Sequence, residues 1–404
     1  MSFWIDPINF VIAWLKGLLE SWGLQPGLVT FVMYLIGAFV TTLLAMLLVV
    51  FLIWLERKLI ARVQDRLGPN RLGPWGIFQT FADMLKIFTK EHITPDGADG
   101  VAFNLAPVIS VGAVLMVWAV IPFTATVVGV DFNAGVLYLM AVGALGEMGV
   151  ILAGWGSNNK YAMLAAFRAV AQLISYEVPM VLALMIPVMF TGSMSLQALV
   201  KEQDIWFIFL APVAALIFFI SSIAEVGRTP FDLVESESEL VSGFNIEYSG
   251  LKFGMFYVAD FLHAFTISLL FAALYLGGWR GPGAEQYPML GFVYFALKTA
   301  VVYFIGILMR ASLPRFRIDQ MMDLNWKYLT PLALVLVAAT AVAGKVVPAE
   351  MAGLRLVVML ALNGIIFVAA DRLMTRRRSA RRQVAQAPRP VAHYVQPAPT
   401  DPGD

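Results

Sequence analysis

Residues 225–252 read EVGRTPFDLVESESELVSGFNIEYSGLK, and a strongly apolar run closes the stretch on either side, 206–224 before it and 255–277 after it. The stretch holds six carboxylates (Glu225, Asp232, Glu235, Glu237, Glu239 and Glu247) against two cations, Arg228 and Lys252. In a soluble protein such a run reads as a solvated acidic face. Between two segments that each approach the ~20 residues a bilayer demands, it reads as a loop at a membrane surface, where charge beside hydrocarbon is costly and tends to mark a pathway. Thr229-Pro230-Phe231-Asp232 has the form of a helix start, with Thr as N-cap and Pro at the first helical position, and Gly243 is a plausible stop. A helix begun there would put Asp232, Glu235 and Glu239 on one face, at i, i+3 and i+7. Carboxylates crowded on one face raise one another's pKa, so such a row would hold and pass protons near neutral pH.

The whole chain carries the same signature. Hydrophobic residues make up 60% and charged residues 14% of it, with mean hydropathy +0.78, whereas a soluble domain is nearer about half apolar and about a quarter charged. The expected fold is therefore all-α and polytopic. Nine candidate spans follow in order, at 28–55, 104–128, 136–156, 162–191, 206–224, 255–277, 291–310, 329–347 and 354–371. Residues 1–27 are expected as an N-terminal interfacial segment, amphipathic and broken by Pro7. The core is 28–347, with charged loops 56–103, 157–161, 225–254 and 311–328; one further span occupies 348–375, and 376–404 form a tail, basic and then Pro/Ala-rich and disordered. No cleavable signal peptide is expected.

Nine spans put the termini on opposite sides. The loops after spans one, three, five and seven hold fifteen Lys and Arg, the opposite loops four. The positive-inside rule thus places the acidic stretch and the tail, with Arg372, Arg376, Arg377, Arg378, Arg381 and Arg382, in the cytoplasm and the N-terminus outside.

Cysteine is absent and the three histidines (His92, His263, His393) are scattered, which excludes thiolate-bound iron–sulfur clusters, disulfides and Cys/His zinc sites from this chain. No phosphate-binding glycine loop occurs; Gly143, Gly146 and Gly149 lie inside an apolar span, where small residues let helices approach. Any electron transfer it serves is carried by a partner. Nothing points to nucleic acid.

In the first cytoplasmic loop Lys58, Arg62 and Arg66 fall at i, i+4 and i+8, a basic stripe continuing span one, and Gly68-Pro69 and Gly73-Pro74 then turn the chain twice. From Trp75 to Glu91 the pattern predicts a surface helix with Ile77, Phe78, Phe81, Leu85 and Phe88 as its apolar face, and Asp83, Lys86 and Lys90 off it. The stripe reads either as an anchor for anionic lipid or as one wall of a mouth through which an amphiphile slides from lipid; an aromatic lining suits a quinone. Glu147, Glu177, Asp260, His263 and Lys298 sit inside apolar segments, each at a cost of roughly 2.5–3.5 kcal/mol. They are either satisfied pairs, such as Asp260 with His263, or parts of a hydrated path. For Glu177 the path is favoured, because Pro179 and Pro187 free carbonyls for water.

Several motifs in one order resemble a family: Glu56-Arg57-Lys58, the Gly-Pro-Asn-Arg-Leu-Gly-Pro turn (68–74), Phe-Ala-Asp (81–83), Asn-Lys-Tyr (159–161), Ser-Tyr-Glu (175–177), Ala-Glu-(x)2-Arg-Thr-Pro-Phe-Asp-Leu (224–233), Glu-Ser-Glu-Leu-Val (237–241), Glu-Tyr-Ser-Gly (247–250) and Pro-Arg-Phe-Arg-x-Asp (314–319). They resemble the H-type, or ND-one type, membrane subunit of respiratory complex I, NADH:quinone oxidoreductase. The resemblance implies a non-redox subunit that forms the quinone chamber and its mouth with peripheral-arm subunits and links quinone reduction to proton translocation through carboxylates. Quinone is then the substrate, with iron–sulfur clusters and FMN on partner subunits. Small membrane-arm subunits, antiporter-like subunits and lipid would be its other neighbours, in the plasma membrane of a prokaryote. By motif position Glu56, Arg57, Arg66, Asp83, Arg228, Arg310 and Arg315 go to the quinone site. Glu177, Glu225, Asp232, Glu235, Glu237, Glu239 and Glu247 go to the proton path, joined by Glu147 on the strength of its place in an apolar span rather than of a motif. No catalytic residue is expected on this chain alone, and no metal ligand. The ninth span and basic tail depart from the family's pattern, as does Asp260, which stands where a glutamate is expected. An equivalent anchor subunit of a ferredoxin-driven or hydrogenase-type complex, a purely structural anchor for a soluble enzyme, and a stand-alone secondary transporter are the other readings; no internal repeat supports the last.

Overall fold

The computed structural model describes residues 6–234, 237–347 and 352–386, of which 237, 238, 352 and 376–386 for their backbone only. The chain runs through α1 (Pro7–Ser21), α2 (Pro26–Val63), α3 (Gln79–Thr89), α4 (Gly100–Trp118), α5 (Gly135–Gly156), α6 (Lys160–Thr191), α7 (Leu196–Lys201), α8 (Phe207–Leu210), α9 (Pro212–Glu225), α10 (Glu237–Leu240), α11 (Gly250–Tyr275), α12 (Pro288–Ser312), α13 (Ile318–Leu324), α14 (Thr330–Val346) and α15 (Ala352–Gln386). A π-helical stretch, Asn325–Leu329, joins α13 to α14. Among the described residues eight helices are long and apolar enough to cross a bilayer: α2, α4, α5, α6, α11, α12, the α13–α14 unit and α15. The all-α polytopic expectation holds.

Three boundaries differ from the expectation, each for a local reason. The second span stops at Trp118; the apolar run continues to Val128, but Pro122 cannot extend a helix and 119–134 form an irregular hairpin closed by a bridge between Pro122 and Val128. The fifth is divided into α8 and α9, because Ala211 leaves helical geometry just ahead of Pro212. α2 ends at Val63 and Asp65 turns left-handed (φ 54°), so the stripe keeps Lys58 and Arg62 and loses Arg66.

Proline inside a helix removes an N–H and leaves the carbonyl four residues earlier without its partner, a costly orphan in a membrane. Three such carbonyls are taken up by side chains. Pro107 frees the Phe103 carbonyl, which accepts from the Tyr248 hydroxyl at 3.1 Å. Pro179 frees that of Ser175, which accepts from Asn325 Nδ2 in the π-helical stretch. Pro187 frees that of Ala183, which accepts from the Tyr275 hydroxyl at 2.9 Å. The carbonyls expected to serve water beside Glu177 therefore serve Asn325 and Tyr275. A fourth donor, Asn363 of α15, reaches the Leu210 carbonyl at 3.3 Å, at the break between α8 and α9.

Candidate functional site

The helix expected from Thr229 does not form. Residues 226–234 are an irregular turn in which Phe231 and Leu233 are both buried, an alternation that helical spacing would place on different faces. Asp232 accordingly lies in the turn and not on a helix with Glu239. Glu235 lies outside the described residues, as does the side chain of Glu237; among the described residues here α10 and a short 3-10 turn, Gly243–Asn245, are helical. Beyond it Val241 and Gly243 turn left-handed.

What the turn does instead is aim two side chains in opposite directions. Arg228 reaches Glu56, a residue of α2 only 2% exposed, with Nη1 2.8 Å from Oε2. The same carboxylate takes a hydrogen bond from Arg310 of α12 and one from the Tyr303 hydroxyl at 3.2 Å. Arg228 also stacks over Phe261, 4.9 Å from the ring centre. Glu56 is thus a buried anion held by two guanidiniums and a phenol from two segments, the turn and α12. Sequence alone does not single out Tyr303; its spacing of seven from Arg310, two turns of α12, is the one signal that could have found it.

The neighbouring residues of α2 are spent differently. Arg57 turns to Asp83 of α3 (2.5 Å), which Lys86 also approaches at 3.6 Å. Burial pushes the Asp83 carboxyl up, but the hydrogen bond and charge of Arg57 win and hold it below the usual carboxylate range. Lys58 donates to the carbonyls of Pro69 (2.6 Å) and Leu67 (3.4 Å), fixing the turn, while Trp54 Nε1 reaches the Trp75 carbonyl at 3.1 Å. These contacts hold α3 against α2, and Phe78, Phe81, Leu85 and Phe88 remain exposed as an apolar flank.

On its other side the turn presents Glu225, at the end of α9, to a cavity of about 90 Å³ lined by Ser110, Gly143, Gly146, Glu147, Glu225, Asp260 and His263, among others. That is room for several waters. His263 Nε2 lies 3.7 Å from Glu225 Oε1, so the histidine faces Glu225 across the cavity that Asp260 also lines. The other oxygen of Glu225 is buried with no protein hydrogen bond. Glu147 and Glu177 lie close enough for their charges to act on one another and on Glu225.

The remaining site residues are dispersed. Arg66 is exposed and donates to Gln64 at 2.8 Å, away from Glu56. Glu239 pairs with Arg168 at 2.6 Å, a hydrogen bond that holds its carboxyl below the ordinary value, helped by the charge of Arg315. Glu247 accepts from Asn159 Nδ2 at 2.6 Å, and Asp232 is half-buried in the turn. Among the described residues no group of three or more acids and histidines gathers as a metal site.

The fold and its buried acids define a polytopic helical membrane protein with a charged cluster and an acidic cavity among its helices. The model of the NADH dehydrogenase family matches residues 36–341. The H subunit of NADH-quinone oxidoreductase from Dehalococcoides mccartyi strain CBDB1 is 44% identical over 318 residues, 78% of this chain and 89% of its own length. The corresponding H subunit from Geobacillus sp. strain WCH70 is 45% identical over 288 residues (71% and 86%), and the one designated H 2 from Geobacter sulfurreducens is 46% identical over 303 residues (72% and 91%). The chain belongs to this family, the H-type membrane subunits of NADH-quinone oxidoreductase, complex I.

Proposed function

We propose that this chain forms the membrane wall and mouth of the quinone site, completed by peripheral-arm subunits, and that it relays the consequences of quinone reduction into the membrane through carboxylates. Reduction of a quinone consumes two electrons and two protons; the electrons come from an iron–sulfur cluster on a partner, since this chain has no cysteine to hold one. The mouth lies between α2 and α3, where Arg57 and Asp83 join the two helices beside the exposed aromatic flank, and Glu56 with Arg228 and Arg310 stands on the inward side of α2. Arg66 stands further out, and Arg315 is half-buried next to Phe316, whose amide donates to the Pro230 carbonyl of the turn at 3.0 Å. The relay starts at Glu225 and continues through Glu147 and Glu177, with Asp232, Glu239 and Glu247 at its cytoplasmic margin. The protein sits in a prokaryotic plasma membrane with the charged loops in the cytoplasm.

The observation that supports this reading is the juxtaposition, across the short segment 225–228, of a clamped buried carboxylate and an acidic cavity with room for several waters. The test is Glu177→Gln in the assembled complex. Assembly should be intact, while quinone reduction coupled to proton movement falls by about tenfold or more. Wild-type coupled activity in an assembled variant would remove Glu177 from the path.

A further inference from the structure

Gln172 of α6 is fully buried, at 0% exposure. Its amide nitrogen donates twice, to the Ala224 carbonyl at 2.6 Å and to the Phe231 carbonyl at 2.7 Å. The amide orientation is fixed by this, because an oxygen in that place would face two acceptors. Ala224 and Phe231 stand at the two ends of the turn, and between them lie Glu225, which lines the acidic cavity, and Arg228, which holds Glu56. One side chain therefore clips together the ends of the segment that carries both groups. The ring of Tyr176, one turn further along α6, packs on Phe231 at 5.3 Å between centres and secures the same end. Gln172 Oε1 is buried with no protein partner, so all of the amide's protein hydrogen bonds go to the turn.

We infer that Gln172 is a positioning residue that sets the geometry between the Glu56 cluster and the Glu225 cavity, and so links events at the quinone site to the carboxylate path. Both of its hydrogen bonds end on main-chain carbonyls, so it acts through the backbone that aims Glu225 and Arg228. The inference rests on the function proposed above. A mere packing role would need the volume of the side chain, whereas this role needs its two N–H donors, and the two differ in what an isosteric apolar substitute does.

The experiment is Gln172→Met in the assembled complex, alongside Glu225→Gln. Methionine keeps length and volume and removes both donors. We expect kcat for quinone reduction to fall about tenfold with KM changed less than about threefold, and the pH–rate profile to move along the pH axis, because Glu225 shifts among His263, Glu147 and Asp260. Amide hydrogen exchange across 226–234 should quicken. A packing defect lowers the amount of active complex without moving the profile. An assembled Gln172→Met with wild-type kcat and profile, or with only a scaled amplitude, overturns the inference, provided Glu225→Gln is impaired; if Glu225→Gln is itself normal, it is the relay reading that fails. Should Gln172→Met not assemble, Gln172→Asn, one methylene short of bridging both carbonyls, is read by the same profile: a moved profile supports the clip and an unmoved one refutes it.

Discussion

Glu56, Arg57 and Lys58 are consecutive in sequence and have three different fates: one goes inward to two arginines, one sideways to α3, one back onto the turn after its own helix. A buried carboxylate is tolerable because its charge is matched. Removing one member of such a set leaves the others uncompensated, at about 3–5 kcal/mol for a fully buried pair. Arg310 retains a third of its side-chain exposure, so Glu56→Gln should cost toward the lower figure, about 3 kcal/mol. It should be read as a lowered thermal inactivation temperature or a reduced yield of complex; a variant as heat-stable as wild type would mean that Glu56 is not the charge being matched. At the surface the sign of pH dependence follows from depressed carboxyls. Asp83 and Glu239 both titrate below their ordinary values, so their stabilisation is complete above about pH 5 and is lost as pH falls through the depressed values. The hydrogen-exchange protection of Gln79–Thr89, corrected for the intrinsic rate at each pH, should thus be flat through neutral pH and fall only in acid, with Asp83→Asn removing that acid step.

At the scale of the element, helix positions were legible because hydrocarbon demands long apolar runs, and the runs are there to count. Helix interruptions were legible only as prolines. What satisfies them was not, because Tyr248, Asn325, Tyr275 and Asn363 lie far along the chain from Phe103, Ser175, Ala183 and Leu210. The acidic stretch failed in the other direction: Thr229-Pro230 is a sound local helix signal, but the burial of Phe231 and Leu233 outweighs a cap. In the site, the charged members were readable from type and position. The uncharged ones, Gln172 and Tyr303, were not, since a lone glutamine or tyrosine in an apolar run carries no pattern. The last expected span, α15, acquires a concrete task in this light, closing the broken α8–α9 segment through Asn363. Asn363→Leu should destabilise the membrane domain by about 0.6–1.7 kcal/mol, the scale of a hydrogen bond between helices in a bilayer, and Tyr275→Phe by a similar amount. Graded unfolding of the purified protein in denaturing detergent measures both, and no change in Asn363→Leu would mean that α15 is held by packing alone.

Across the whole molecule, polar contacts sort the loops into two sets. At one end Asn159 meets Glu247, Arg168 meets Glu239, the Ser249 hydroxyl accepts from the Ile93 amide at 2.9 Å, and Arg228 meets Glu56. At the other end Asp6 accepts from Thr126, Asp131 from Ser195, and Gln197 donates to the Ala125 carbonyl, while Asp204 pairs with Arg280. The first set is made of the loops that charge counting places together, and so is the second. The α8–α9 segment begins beside Asp204 and ends at Glu225, so it joins opposite ends despite its break. The alternation of the chain is thereby a property of the fold, and from the excess of Lys and Arg in the first set the positive-inside rule predicts that this set faces the cytoplasm. Because the sequence has no cysteine, single substitutions report sidedness without background. Asp96→Cys, in the first set of loops, and Gln286→Cys, in the second, are both at exposed positions. A membrane-impermeant maleimide added to intact spheroplasts should label only Gln286→Cys, and added to inverted vesicles only Asp96→Cys. The reverse pattern would turn the molecule over and place the proposed quinone mouth on the wrong face for a cytoplasmic electron donor.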